Sequence, residues 1–166
     1  MIQLEALAGQ AISKWVGTEM ALAERSGSGS EAEPIWEHPT VPFLQLTHLD
    51  IETSTGGFFR LYSHIDDGSG YFGLYLTRID APEQLKLASG SCIFRTRVIE
   101  EFPLGTIQEI VCERDGPNAI LRASMLISGR RLSLLAAEVE EKVDGSLRIV
   151  EGDESILCQT DGIRPK

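Results

Sequence analysis

Residues 150–162, VEGDESILCQTDG, carry four carboxylates, a serine and a cysteine. Acids this dense serve paired-carboxylate catalysis, a serine nucleophile with a general base, or a negative surface for a cationic partner. A serine nucleophile needs a base within hydrogen-bonding reach. The three histidines, His38, His48 and His64, lie far from Ser155 in the chain, and no G-x-S-x-G elbow surrounds it. Aspartate and glycine favour tight connections. GDES (152–155) therefore reads as an acidic hairpin turn between two apolar strands.

The third use fits a wider pattern. Between positions 138 and 154 stand seven acids: Glu138, Glu140, Glu141, Asp144, Glu151, Asp153 and Glu154. Only Lys142 and Arg148 oppose them, and Asp66 and Asp67 form a second, smaller acidic spot. The whole chain carries a net charge of −10, from 25 acids and 15 bases. Such a surface repels phosphate backbones, which argues against nucleic acid as a partner. It attracts a basic protein and speeds the encounter.

Other candidate motifs resolve into structure. His48, Asp50 and Glu52 alternate with Leu49 and Ile51, which puts the three polar groups on one strand face. They include metal-ligand types, but the alternation is that of a solvated face opposite a buried one. The G-x-G-x-x-G of 68–73 precedes a strand, whereas a dinucleotide fingerprint follows a strand and opens a helix. HIDDGSGYFG (64–73) lacks the spacing and closing glutamate of a calcium loop and reads as a turn. Phe58, Phe59, Tyr62, Tyr71, Phe72 and Tyr75 read as core and cross-strand pairs on adjacent strands. No residue is assigned to catalysis, a cofactor or a metal.

These residues need a frame to hold them. A chain of 166 residues, 42% hydrophobic and 24% charged, suits one globular domain with a sizeable core. Segment 1–24 begins with helical spacing, which predicts a short helix over about 3–10 followed by extended chain. Segment 25–42 is rich in Gly, Ser and Pro and reads as a flexible linker loop. From 43 onward, short alternating apolar runs are punctuated by turn signals. Residues 43–103 and 104–162 read as two copies of one pattern. LDIE (49–52) answers IVCE (110–113), and FFRLYSHI (58–65) answers ILRASMLI (120–127). The repeat assigns LLAAEVEE (134–141) to a strand despite its helical composition, because its counterpart TRID (77–80) runs into Ala81-Pro82. The expectation is a mainly β fold, α+β at most. Two tandem antiparallel four-stranded units form a sandwich or barrel-like domain behind a short N-terminal helix.

Cys92, Cys112 and Cys158 are odd in number and form no C-x-x-C. They read as free thiols of a reducing compartment, which places the protein in the cytoplasm. The N-terminus shows no secretory pattern, and no run of eighteen apolar residues marks a membrane span.

Small size, acidity, free cysteines and the lack of a catalytic motif resemble the small acidic immunity proteins of bacterial toxin systems. The resemblance covers residues 43–162, and GDESILCQTDG (152–162) closing a β unit is similar to bacterial proteins of that kind. It implies a non-enzymatic inhibitor that covers a basic toxin or nuclease, and it carries no binding residues across. Two other classes stand beside it: a structural or adaptor β domain that self-associates through a sheet edge, and a small enzyme with a cleft between the repeats.

Overall fold

The structure, a computed structural model, describes residues 2–25, 32–65, 70–115 and 119–161. One turn of 3-10 helix, Leu4–Leu7, opens the described chain, and Leu4 and Leu7 insert into the main core. Eleven strands follow: β1 (Ala11–Met20), β2 (Ala23–Arg25), β3 (Glu33–Ile35), β4 (Leu44–Thr53), β5 (Phe58–Ile65), β6 (Phe72–Ile79), β7 (Phe94–Val98), β8 (Gly105–Asp115), β9 (Ala119–Ile127), β10 (Arg130–Glu141) and β11 (Leu147–Thr160). The protein is mainly β, as its alternating pattern implies. The predicted helix over 3–10 shrinks to that single turn.

Nine strands form one antiparallel sheet in the order β6-β5-β4-β11-β10-β9-β8-β1-β7, and β1 also pairs with β4. That extra pairing closes β1, β4, β11, β10, β9 and β8 into a ring, with β5–β6 and β7 as flaps. The closing contact is short at β8, where only Ala11↔Thr106 and Ile12↔Gly105 pair with β1. The two stretches read as repeats contribute differently. In 104–162 the four strands β8 to β11 form an uninterrupted meander. In 43–103 only β4 to β6 do so, and β7 pairs with β1 instead of β6.

Alternation builds the core. Leu46, Leu49 and Ile51 of β4, Leu61 of β5, Met125 and Ile127 of β9, and Leu132 of β10 are all fully buried. Trp15 joins them, donating from its indole N–H to the Pro103 carbonyl at 2.9 Å and meeting Phe102 edge-on at 5.9 Å. A second, smaller core lies on the outer face of the β10–β11 ribbon. Leu22 and Val41 come down on Ala137, Val139 and Leu157 there, with Phe43 alongside. Buried Gln45 fastens this layer, donating to the Ala21 carbonyl at 3.4 Å and accepting from the Val139 N–H at 2.6 Å. Part of the expected 25–42 linker is thus the β2–β3 ribbon; residues 26–31 lie outside the described residues.

GDES is not a hairpin turn. The β10–β11 register jumps from Ala136↔Ile156 to Ala137↔Glu151, so residues 152–155 bulge out of one continuous strand. The reversal lies earlier, where Lys142 N–H donates to the Ser146 carbonyl at 2.8 Å. Gly152 at φ 72° allows the bulge, as Gly145 at φ 78° allows the turn.

Candidate protein-binding surface

The bulge gathers part of the acidic set. Glu138 lies opposite Val150, and Glu140 lies opposite Arg148 on the same face of the ribbon. Val139 faces the other way, into the second core. The Ser63 hydroxyl of β5 donates to the Asp153 carbonyl at 2.6 Å and pins the bulge to the β5–β6 hairpin. The Asp153 carboxylate accepts the Glu154 N–H at 2.8 Å. Glu138 accepts a long hydrogen bond from the Ser155 hydroxyl at 3.4 Å. Burial pushes the Glu138 carboxyl above its ordinary range, and the charges of Asp153, Glu154 and Glu140 push it further. The Ser155 hydrogen bond opposes that rise.

The remaining predicted acids divide. Glu140 is paired with Arg148 at 2.5 Å. Glu151 is paired with Arg122 of β9. Asp144 serves the turn, accepting from the backbone and hydroxyl of Ser146 at 2.9 and 2.6 Å, which hold its carboxyl below the ordinary range. Glu141 is exposed at the ribbon tip opposite Leu147. Asp66 and Asp67 lie outside the described residues. The structure therefore draws Glu138, Asp153 and Glu154 into one ridge with no ion-paired base among the described residues, while Glu140 and Glu151 beside it are already neutralised.

The arginines explain this selection. Arg60 binds Asp50 through Nε at 2.7 Å and Nη2 at 2.9 Å, and it also reaches Glu83 at 3.0 Å. Arg97 bridges Glu19 at 2.8 Å and Glu101 at 2.7 Å. Arg95 joins Glu19 while stacking over Trp36 at 4.2 Å. Arg114 is paired with Glu5, and Arg131 approaches Glu109 at 3.8 Å. None of these bases reaches the ridge.

One predicted solvated face proves covered. His48, Asp50 and Glu52 do share a face, but Asp50 is only 1% exposed. The chain after β6 crosses over it, and the Glu83 N–H donates to Asp50 at 2.7 Å. His48 sits beside, 3.2 Å from the Thr18 hydroxyl. Burial and then Arg60 lower its pKa, so it is largely neutral near pH 7. No group of three or more metal-ligand side chains with metal-site geometry occurs among the described residues.

A groove that alternation alone did not reveal runs over the outer face of β8 to β11. It encloses about 510 Å³. Cross-strand register aligns Glu113, Arg122, Leu135 and Leu157 across it. Phe43 and Ile149 line it too, and Glu151 is shared between the groove and the start of the bulge. The sequence signal was the exposed-face apolar set Val111, Leu135 and Ile149, but its depth depends on Phe43 folding over the ribbon.

No family model matches the chain, and no curated protein or solved structure is similar enough to match it. Among the described residues, no helix is long and apolar enough to cross a membrane.

Proposed function

We propose that this protein is a non-enzymatic binding protein of the inhibitor or immunity type, which covers a basic protein partner with its acidic ridge. The partner class is a toxin or nuclease whose own functional surface is cationic, met in the cytoplasm. The supporting observation is the meeting of Glu138, Asp153 and Glu154 with no ion-paired base among the described residues. Folding alone favours pairing such charges, as this chain does with Glu19, Asp50, Glu140 and Glu151. An unpaired ridge raises the association rate of a cationic partner and makes that rate fall with salt.

The test compares the wild-type chain with Glu138→Gln/Asp153→Asn/Glu154→Gln as bait in host extract at low salt. Wild type should hold one dominant basic protein that a salt gradient releases, and the variant should lose it. Co-expression of the captured protein should then arrest growth unless wild type is present. Equal retention by both baits, or retention that salt does not weaken, refutes the reading.

A second reading has its own observation. Lys86 pairs with Thr96 at the outer edge of β7, and the flanking Leu85 and Leu87 are 59% and 85% exposed. An open apolar edge of this kind invites self-association. Sedimentation of Leu85→Lys/Leu87→Lys against wild type separates the readings: loss of a wild-type dimer would favour it.

A further inference from the structure

We propose that the groove over β8 to β11 is an anchor site for an extended basic segment carrying one large aromatic or aliphatic side chain. This rests on the binding-protein reading and adds a contact on the face of the β10–β11 ribbon opposite the ridge. Charge steering governs encounter more than lifetime. Lasting complexes place a bulky side chain in a desolvated pocket beside the charged contacts.

The groove has the right form. Its volume of about 510 Å³ accommodates an indole or phenyl ring with its backbone. Leu135, Leu157 and Phe43 supply apolar walls, and Val111 and Ile149 remain 52% and 38% exposed.

Charge decides which occupant fits. Among the described residues, Arg122 is the groove's only lining base, and it is paired with Glu151. Glu113 then stands on the rim as an acid with no ion-paired base among the described residues. A side chain seated in the groove thus has Glu113 on one rim and the Glu151 carboxylate, shared with Arg122, on the other, which suits lysine or arginine beside the anchor.

The probes are two fluorescein-labelled peptides, Lys-Lys-Trp-Lys-Lys and Lys-Lys-Ala-Lys-Lys, titrated with the full chain and read by fluorescence anisotropy. The tryptophan peptide should bind about tenfold more tightly. Val111→Gln/Ile149→Gln should erase that advantage and leave the alanine peptide unchanged. Both positions are partly exposed, and circular dichroism verifies that the variant folds. If both peptides bind equally and weaken equally with salt, the groove proposal falls while the ridge reading stands. If neither binds at low salt, the groove proposal also falls, and the capture experiment decides the ridge independently.

Discussion

Asp50→Asn should destabilise the fold by about 3 kcal/mol, because it removes a buried charge from the centre of a completed network. Asp50 accepts three hydrogen bonds: two from Arg60, at 2.7 and 2.9 Å, and one from the Glu83 N–H at 2.7 Å. Asparagine keeps the shape but turns one acceptor into a donor, which then faces Nη2 of Arg60 and the Glu83 amide. Each lost charge-assisted bond is worth about 1.5–3 kcal/mol, so the simple sum is larger. Arg60 is 28% exposed and recovers part of the loss by rehydrating, which lowers the net effect. For a chain of this size, about 3 kcal/mol is about 6–12 °C in Tm. The assay is urea unfolding followed by circular dichroism and tryptophan fluorescence. Asp50→Leu/Arg60→Leu should recover much of the stability, because no charge is then left unpaired. A single variant within about 1 kcal/mol of wild type would refute the network as a structural lock.

Other outcomes follow from single features. Trp15→Phe should cost about 2 kcal/mol in urea unfolding, through a small cavity and an orphaned Pro103 carbonyl. Gly152→Ala should cost about 1 kcal/mol in the same assay: it has space for a methyl group but sits at φ 72°. Cys158 is fully enclosed and its thiol is pushed up by burial, so it should resist thiol reagents until the protein unfolds, whereas half-buried Cys92 reacts in the folded state. Glu138→Gln should raise stability at pH 7 by about 0.5 kcal/mol, a small effect because the group is partly hydrated and screened. The folded-state pKa of Glu138 is raised, so the fold binds its proton more tightly than the unfolded chain does. That contribution is favourable below about 4.5 and is lost as pH rises through the folded value. A pH series of melts should therefore show a shallower decline for Glu138→Gln than for wild type.

Local pattern carried most of the strand assignments. Leu49 and Ile51 alternate with polar neighbours and face the core. Residues 134–141 form part of β10 against their helical composition, because an antiparallel ribbon supplies partners on both sides of Leu132–Leu135. Long-range contacts decided what the sequence left open. GDES has the glycine and acids of a turn, and Gly145 has the same signature at the true reversal. What keeps residues 152–155 in the strand is β4 pairing with Ile156–Cys158 and Ser63 holding Asp153, contacts more than eighty residues apart in sequence. Asp50 reads as one group of a solvated strand face until Arg60 reaches it from 10 residues away, and Glu19 meets its arginines from 76 and 78 residues away.

The bulge itself bears on the ridge. In an unbroken β11, residues 151 to 154 would alternate across the two faces, dividing the acids between the groove side and the Glu138 side. The inserted residues instead bring Asp153 and Glu154 against Glu138, whose carboxyl is pushed above its ordinary range first by burial and then by their charges. A strand under selection for stability alone gains nothing from that arrangement, and glutamine or serine at these positions would fold at least as well. If the ridge exists for a cationic partner, neutralising it must move two readouts in opposite directions: melting temperature upward and retention of the basic partner downward. If both fall together, the acids serve the fold, and the binding surface lies elsewhere on the protein.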